Sequence, residues 1–554
     1  MRPQNNEQSS NSPVSRRRFL GSTAALAATS FTLPALAQPA IAPGASQAGP
    51  AVKSFDLEEI SAADLQEGLR SGKFTARSLV EKYLSRTAEI DKSGPALNAI
   101  IELNPDALSI ADSLDAERKS GKTRGPLHGI PVLIKDNIGT ADRMSTTAGS
   151  LALAGFTPAQ DSAVARRLRA AGAVILGKTN LSEWANFRSS HSSSGWSGRG
   201  GQTRNPYALD RNPCGSSSGS GAGVSANLCA LSVGSETDGS IVCPSSSNGV
   251  VGIKPTVGLV SRAGIIPISH SQDTAGPICR SVADAAALLS VLAGADPDDP
   301  ATADSAGHVE SDYTKFLDRN GLRGARIGVL RKFFDFNEKL GPALDAALDA
   351  MKREGAVLVD PVEIGTLGKF DDSEFTVLLY EFKADLNAYL ARNPNAPVRS
   401  LADVIDFNER SASKELSYFG QDIMQKAQAK GPLTEKAYVD ALASNHLLAR
   451  EHGIDSVMNA NRLDALFAPT AGPAWLTDLV DGDHDTGGSS SPAAVAGYPN
   501  INVPAGFIFG LPFGVSFFGR AWSEPTLIRI AYAFEQATRQ RKPPRYLPTA
   551  NLLA

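Results

Sequence analysis

Histidine is scarce in this chain of 554 residues, and its seven histidines are scattered along the sequence. None of them has the spacing of a metal-ligand set or of a Ser-His-Asp triad. Cysteine is scarcer still, with Cys214, Cys229, Cys243 and Cys279 as its four positions and no C-x-x-C pair among them. The sequence therefore argues against a metal site and against histidine as a catalytic base, and it implies no metal or cofactor.

Long apolar runs are missing beyond residue 37, where no stretch approaches the roughly 20 apolar residues that a membrane span requires. We therefore expect no membrane contact for that part of the chain. Neither sign of charge is in large excess, because the chain has 54 Lys and Arg and 58 Asp and Glu, for a net charge of −4. A mildly acidic protein gives no reason to expect a nucleic-acid partner. With 42% hydrophobic and 20% charged residues, the composition is that of an ordinary globular protein.

Residues 1–37 have the pattern of a twin-arginine signal peptide. Ser15-Arg-Arg-Arg-Phe-Leu20 precedes a mildly apolar stretch that ends in Ala35-Leu-Ala37, an A-x-A cleavage pattern. A short anchor helix is the alternative, but glycine, serine and proline interrupt the stretch. Cleavage after Ala37 removes four arginines and one glutamate, which changes the net charge to −7. We expect a periplasmic or secreted protein, in which a disulfide is possible although the spacing of the cysteines assigns none.

Residues 38–54 are rich in Ala, Pro, Gly and Ser and are predicted to form a flexible lead-in. Residues 55–554 contain no repeat or linker that would divide them, so we treat them as one domain. Two amphipathic helices come first, and they begin at the capping residues Ser61 and Thr75.

Short apolar runs then alternate with helical segments. The predicted strands are Val132–Ile134, Ala173–Leu176, Arg326–Leu330, Ala356–Val359, Ala465–Phe467 and Ile501–Val503. The predicted helices are Ser162–Ala171, Glu374–Arg392, Glu435–Asn461 and Glu524–Arg539. This alternation predicts an α/β domain with a largely parallel sheet that is covered by helices.

Two formal motif matches lack the context that their chemistry needs. Gly172–Thr179 fits the phosphate-loop pattern G-x-x-x-x-G-K-[ST], but its spacer Ala-Val-Ile-Leu is typical of a buried strand rather than a curled loop. Gly215-Ser-Ser-Ser-Gly219 fits the nucleophile elbow G-x-S-x-G, which would make Ser217 the nucleophile, but no apolar strand precedes it. The sequence therefore predicts a structural role for Lys178 and favours a different nucleophile.

A third pattern combines Lys135, in the apolar run Gly129–Asn137, with two serine-rich stretches at 215–219 and 237–241. A serine hydroxyl is a poor nucleophile unless a base accepts its proton and donors stabilise the developing oxyanion. A buried lysine can be that base, because burial disfavours its ammonium form. The pattern thus predicts a serine hydrolase that works without histidine.

These stretches resemble the amidase signature family. The resemblance is carried in order by Pro126–Pro131 with Lys135-Asp136, Gly177–Glu183, Gly215–Gly219, Gly234–Pro244, Gly252–Thr256, Ala496–Pro499, Val503-Pro504 and Leu511–Gly514. Within the family, bacterial peptide amidases are most similar, through Trp184–Arg188, Cys214–Gly219, Glu236–Pro244 and Leu379–Lys383. Cys214 and Asp238 stand where most members have glycine, and Val242 stands where most have arginine.

The resemblance implies roles for individual residues. Ser240 would be the nucleophile, Ser216 would bridge through an unusual cis peptide bond, and Lys135 would be the base. The backbone N–H groups of Thr237, Asp238 and Gly239 would form the oxyanion hole.

Three further side chains are expected near the substrate. Ser217 would either support the lysine or be only a turn residue. Asn186 and Phe187 resemble pocket residues of the family, but a role in the core is equally compatible with the sequence.

The resemblance also implies the fold and the reaction: a single compact α/β domain with a large mixed β-sheet covered by helices on both faces, and an acyl-enzyme route that releases ammonia without cofactor or metal. Peptide C-terminal amides are the expected substrates. The alternatives are a general aliphatic or aryl amidase and a catalytically silent exported binding protein. A glutamine-dependent amidotransferase role is disfavoured by the export signal, and the oligomeric state is not predicted.

Overall fold

An eleven-stranded sheet occupies the centre of the structure, a computed structural model that describes residues 49–552. The predicted signal peptide and most of the predicted lead-in at 38–54 lie outside the described residues. The strands, including a separate two-stranded ribbon of β4 and β5, are β1 (Ile100–Leu103), β2 (Pro131–Lys135), β3 (Val174–Thr179), β4 (Trp196–Ser197), β5 (Gly201–Gln202), β6 (Leu231–Glu236), β7 (Val251–Lys254), β8 (Thr274–Cys279), β9 (Arg326–Val329), β10 (Val357–Val359), β11 (Ala465–Pro469), β12 (Asn500–Ile508) and β13 (Leu511–Phe518).

The order of strands in the sheet is β1-β3-β2-β6-β8-β7-β12-β13-β11-β9-β10. β2 is parallel to β3 and β6, and β9 is parallel to β10 and β11. The other six neighbouring pairs are antiparallel. The mixed sheet that the family resemblance implied is confirmed. The prediction of a largely parallel sheet, made from the alternation, is wrong for the middle of the sheet. The central strands are antiparallel neighbours, as in the tight hairpin β12–β13.

Sixteen α-helices surround the sheet in the described residues. They are α1 (Ala62–Arg70), α2 (Ala76–Ile90), α3 (Ala107–Lys119), α4 (Ala163–Ala170), α5 (Ser218–Ser225), α6 (Val242–Ser247), α7 (Val282–Leu292), α8 (Gly341–Arg353), α9 (Asp371–Arg392), α10 (Leu401–Arg410), α11 (Ala412–Glu415), α12 (Asp422–Gln428), α13 (Lys436–His446), α14 (Asp455–Asn461), α15 (Ser491–Ala496) and α16 (Glu524–Thr538). Every residue of β2, β3, β6, β7, β8, β11 and β13 is buried, so the sheet is covered on both faces.

Helix starts agree closely with the sequence predictions. The Ser61 hydroxyl accepts the Asp64 N–H at 3.0 Å, and Thr75 forms a reciprocal capping box with Ser78. The single helix predicted over Glu435–Asn461 is wrong as a continuous element. α13 and α14 are separated by π-helical turns at Leu447–Ile454, where Gly453 leaves helical geometry.

The stretch that fits the phosphate-loop pattern is strand β3 and not a loop. Lys178 is fully buried there, and its Nζ donates to the Ile138 carbonyl at 2.6 Å and to the Thr146 hydroxyl at 2.9 Å. Burial lowers the pKa of Lys178 to about 8, although nearby carboxylates oppose that shift. Its amine is thus part of the core. Within residues 49–552, no helix combines the length and apolar character needed to cross a bilayer.

Candidate active site

Lys135 is the last residue of β2, in the buried part of the sheet between β3 and β6. Its Nζ lies 2.8 Å from the Ser216 hydroxyl, 3.0 Å from the Ser235 hydroxyl and 3.1 Å from the Ser235 carbonyl. The Asn137 side chain donates to the same Ser235 hydroxyl at 2.9 Å. The amine therefore has three fixed oxygen neighbours.

Burial dominates the protonation of Lys135. It lowers the pKa of the amine from its ordinary value near 10.5 to about 7, against the negative charges of Asp273 and Glu236, which raise it. A substantial fraction of the protein then holds Lys135 as the neutral amine at neutral pH. An unprotonated amine can accept a proton, which an ordinary surface lysine cannot do at that pH.

The first serine stretch is a turn that leads into α5. The peptide bond between Gly215 and Ser216 is cis, as the family resemblance implied. Ser217 is buried, and its hydroxyl donates to the Ser235 carbonyl at 3.0 Å while accepting the Ser235 N–H at 3.2 Å. Its own N–H donates to the Ser240 carbonyl at 3.2 Å. Ser217 thus joins the first stretch to β6 and to the second stretch, and its hydroxyl is already fully engaged.

The second serine stretch connects β6 to α6. Glu236 stabilises the turn in this connection, because its Oε2 accepts the N–H groups of Ile241 at 2.6 Å and Val242 at 3.0 Å. Gly239 adopts a left-handed φ of 76° in this turn, and Ser240 follows it with 7% of its surface exposed. The nucleophile predicted from the sequence therefore lies on a tight turn at the start of α6.

The three predicted oxyanion donors lie on this same turn. In the described part of the chain, the N–H groups of Thr237, Asp238 and Gly239 donate to no other group. The Thr237 hydroxyl donates to Asp273 Oδ1 at 2.6 Å, which fixes one end of the turn. These N–H groups are thus held in place and available to a substrate oxygen.

The Asp238 side chain holds the middle of the turn. Its carboxyl group interacts with Ser490 and Ser491 at the start of α15 and with Glu374 on α9. Burial raises the pKa of both carboxyl groups, and the charge of Asp238 raises the pKa of Glu374 further. Both carboxyl groups therefore hold a proton more readily than exposed ones, and the middle of the turn contacts α9 and the start of α15.

A disulfide between Cys214 and Cys243 links the two serine stretches, with a Cα–Cα distance of 6.0 Å. Cys214 comes directly before the cis Gly215–Ser216 bond, and Cys243 lies three residues after Ser240 on α6. Cys229 and Cys279 are unpaired and buried. The structure thus supplies a pairing that the spacing of the cysteines left open.

A cavity of about 280 Å³ opens onto both serine stretches. Gly215, Asp238, Gly239 and the disulfide line one side of it. The opposite side comes from a distant segment and includes Trp475, Asp483, Asp485 and Gly487. This cavity is large enough for a small acyl group next to the serines.

The structure separates the two predicted pocket residues. Asn186 lines the cavity, and its side chain donates to the Ser194 hydroxyl at 2.9 Å. Phe187 packs edge-to-face against Phe382, with ring centroids 5.2 Å apart, inside an apolar cluster. Asn186 can therefore contact a ligand directly, whereas Phe187 supports the wall from behind.

Sequence reasoning missed Ser235, Asn137 and Asp273. Ser235 stands inside a matched block and Asn137 directly follows one, but nothing in their spacing shows that they meet beside the lysine amine. Asp273 belongs to a segment without a motif, and only the fold brings it to Thr237.

Histidine does not enter this site. Two clusters in the described residues bring a histidine close to two carboxylates: His270 with Glu381 and Asp385, and His484 with Asp478 and Asp481. Neither contains a residue of the predicted triad. A further cavity of about 400 Å³, between the 361–365 segment and α14, is also lined by none of the predicted site residues.

Comparisons with known proteins identify the family of this chain. The sequence model of the family described as Amidase matches residues 78–528. A probable amidase of Arabidopsis thaliana is 46% identical over 503 residues, which cover 89% of this chain and 93% of the relative. The crystal structure of the peptide amidase of Stenotrophomonas maltophilia has a TM-score of 0.86 at 54% identity and covers 89% of this chain and 99% of its own. A glutamyl-tRNA(Gln) amidotransferase component of Synechococcus is 34% identical over 504 residues, which cover 87% of this chain and 97% of that relative.

Proposed function

This chain belongs to the amidase signature family and is an amide-hydrolysing enzyme, and we propose that it releases ammonia from the C-terminal amides of peptides through a Ser-Ser-Lys triad. The observation that carries the mechanism is the 2.8 Å contact between Lys135 Nζ and the Ser216 hydroxyl, at an amine whose pKa is about 7. The two serine stretches are joined by the Cys214–Cys243 disulfide and by the bond from the Ser217 N–H to the Ser240 carbonyl at 3.2 Å.

The hydrogen bonds around Lys135 support proton transfer from Ser216 to the lysine. The Ser235 carbonyl can only accept a hydrogen bond, and the Ser235 hydroxyl already accepts one from Asn137. A neutral amine donates its two hydrogens to these oxygens and directs its lone pair at the Ser216 hydroxyl. Ser216 then gives its proton to Lys135 and takes one from Ser240.

The deprotonated Ser240 oxygen attacks the amide carbonyl carbon, and the carbonyl oxygen becomes an oxyanion. The N–H groups at 237–239 stabilise that charge, at about 3 kcal/mol for each well-placed donor. Collapse of the intermediate breaks the C–N bond, and Lys135 returns its proton through Ser216 to the leaving nitrogen, which departs as ammonia. Water then attacks the Ser240 ester by the same proton route and releases the carboxylic acid.

The peptide substrate class rests on two observations. Over nearly its full length the chain is 54% identical to an enzyme described as a peptide amidase. The cavity beside the serines also has the polar and aromatic groups that an amino-acid residue requires, including Trp475 and the Asp483 carboxylate, which accepts the Trp475 N–H at 3.1 Å.

The experiment is a comparison of ammonia release from peptide C-terminal amides, glutamine, aliphatic amides and aryl amides, with Ser240→Ala as the control. Selective release from peptide amides that is absent in Ser240→Ala supports both substrate class and nucleophile. Release from simple amides alone retains the mechanism and favours a general amidase, as the similarity to a probable plant amidase would allow. Release from glutamine alone favours the chemistry of the amidotransferase relative.

The alternative from another class, a catalytically silent binding protein, disagrees with the family to which the chain belongs. It predicts that the protein binds peptide amides without releasing ammonia at any pH. The convergence of Lys135, Ser216 and Ser235 argues against it, because a binding pocket has no need of an amine with a lowered pKa.

We also propose that the protein is exported through the twin-arginine pathway to the periplasm or the medium. The support is the Ser15–Leu20 pattern and the Cys214–Cys243 disulfide, since disulfides persist in oxidising compartments. Amino-terminal sequencing of the mature protein tests this, and a chain that begins at Gln38 is expected. Replacement of Arg16 and Arg17 by lysine should retain the protein in the cytoplasm, and unchanged export would argue for another route.

A further inference from the structure

A short turn, Ser269–Asp273, lies between the predicted oxyanion residues and helix α9. It directly precedes β8, the strand that pairs with β6 beside the second serine stretch. Its inner end contacts Thr237, and its outer end contacts α9 and α13. The Ser269–Asp273 turn therefore connects the turn that carries Thr237 to the exposed surface of α9.

The inner end of the turn is fixed by Asp273. Its Oδ1 accepts the Thr237 hydroxyl at 2.6 Å, while its Oδ2 accepts the N–H groups of Ile268 at 2.8 Å and Ser269 at 2.9 Å. Gln272 adds a bond from its side chain to Glu374 Oε1 at 2.9 Å. Any displacement of the turn is thus transmitted to Thr237.

The outer end is fixed by Glu381, which is buried on α9. Its Oε2 accepts the N–H of Ser271 at 3.0 Å, the hydroxyl of Ser271 at 2.9 Å and the hydroxyl of Ser269. Its Oε1 accepts the Tyr438 hydroxyl of α13 at 2.7 Å. One buried carboxylate therefore accepts hydrogen bonds from both the turn and α13.

His270 occupies the tip of the turn, with 46% of its side chain exposed. Its backbone N–H donates to Asp385 Oδ2 at 2.8 Å, and its Nδ1 lies 2.9 Å from the same oxygen. Its Nε2 lies 3.2 Å from Glu381 Oε1. Each ring nitrogen faces a carboxylate oxygen, so an imidazolium can donate to both carboxylates whereas a neutral ring can donate to only one.

We propose that His270 is a positioning residue for amide hydrolysis: as an imidazolium it holds the Ser269–Asp273 turn onto α9, and through Asp273 the turn holds Thr237 in the oxyanion geometry. This inference rests on the proposed role of the Thr237 N–H in catalysis. His270 contacts no reacting atom and acts through the turn alone.

The charges around His270 favour its protonated form. Burial lowers the pKa of the ring, but the hydrogen bond to Asp385 and the charge of Glu381 outweigh it, so the pKa is raised. Arg262 opposes this shift, although its own guanidinium is paired with Asp299 at 2.6 Å. Tyr438 is neutral near pH 7, since burial and Glu381 raise its pKa. The contact is therefore present below the raised pKa of His270 and is lost as the pH rises through it.

The test is the pH dependence of kcat and KM for the amide that the wild-type protein hydrolyses fastest, in the wild type and in His270→Asn. The expected wild-type profile has an alkaline decrease in kcat with little change in KM. His270→Asn is expected to lower kcat about tenfold on the acid side of that decrease, part of the loss measured for a missing oxyanion donor, and to lack the alkaline decrease itself. His308→Asn is the matched control, because His308 is exposed and stacks on Trp522 away from the turn.

A double-mutant cycle separates this role from general destabilisation. Thr237→Val removes the hydroxyl through which the turn acts, so His270→Asn should cost little more kcat in that background. Additive losses would overturn the proposal, as would an alkaline decrease that survives in His270→Asn, or a wild-type kcat that stays flat at alkaline pH. If His270→Asn does not fold, the pH profile of the wild type and the kcat of Thr237→Val still test the proposal. A wild-type protein without any amidase activity would remove the proposed function and this inference together.

Discussion

The amine of Lys135 and the hydroxyl of Ser216 lie 2.8 Å apart although 81 positions separate them in the chain. The sheet brings them together, because β2 ends at the lysine and the neighbouring β6 carries Ser235, which binds both the lysine amine and Ser217. The lysine and the serine turn are thus fixed to the same strand. This arrangement makes the behaviour of each residue separately testable.

Ser240→Ala should remove nearly all ammonia release, at least about 10⁴-fold in kcat, as the loss of a catalytic serine does in other hydrolases. The structure should be unchanged, because no other described group depends on the Ser240 hydroxyl. Ser217→Ala is the comparison, since its hydroxyl binds only the Ser235 backbone. We expect it to reduce kcat about 10- to 100-fold through looser positioning. Equal losses in the two variants, or substantial activity in Ser240→Ala, would contradict the assignment of the nucleophile.

Lys135 should control the acid side of the pH profile. Only the neutral amine can accept a proton, so kcat/KM should rise about tenfold per pH unit below pH 7 and stop rising above it, before the alkaline decrease expected from His270. Lys135→Arg should be inactive at every pH, because a guanidinium does not deprotonate in proteins. Lys178→Met is the matched control, since Lys178 is equally buried but binds Ile138 and Thr146 away from the serines. Lys178→Met should lower stability while each folded molecule stays active. If the wild type binds a nucleotide and Lys178→Met abolishes that binding, the structural role assigned to Lys178 in β3 is contradicted.

Local features of the fold were readable from the sequence. The apolar runs at β2 and β3 and the caps at Ser61 and Thr75 depend on neighbouring residues, and the structure confirms all four. The antiparallel centre was not readable, because fully buried strands lack the alternation that marks one solvated face. A helix interrupted at Gly453 was also missed, since the apolar spacing continues through the break.

Some residues of the candidate site could be predicted from the sequence and others could not. Lys135, Ser216 and Ser240 lie in motifs, so the resemblance could propose them together. Ser235 and Asp273 act through hydrogen bonds between distant segments, and neither has a pattern of its own. The pocket wall around Trp475 and Asp483 also comes from a remote part of the chain. Contacts that depend on tertiary structure therefore remained outside the reach of the sequence.

Asp273→Asn should move the acid limb of the profile to lower pH. The negative charge of Asp273 raises the pKa of Lys135, so its removal lets burial lower that pKa further. An asparagine oxygen can still accept the Thr237 hydroxyl, but its NH2 group would then face the N–H groups of Ile268 and Ser269, so kcat should fall as well. Glu236→Gln should shift the limb in the same direction, since Glu236 also raises the pKa of the lysine. An upward shift in either variant would show that another group controls the acid limb.

The disulfide should contribute to the stability of the whole domain. Cys214 and Cys243 are separated by 29 positions, and closing a loop of that length stabilises a protein by about 3 to 4 kcal/mol in the chain-entropy account. The variant with Cys214→Ser and Cys243→Ser should therefore lose activity at a lower urea concentration than the wild type. Dithiothreitol should bring the wild type to the same midpoint and leave the variant unaffected, because Cys229 and Cys279 are unpaired and buried. A wild-type midpoint that does not respond to reductant would mean that the two cysteines are not joined in solution.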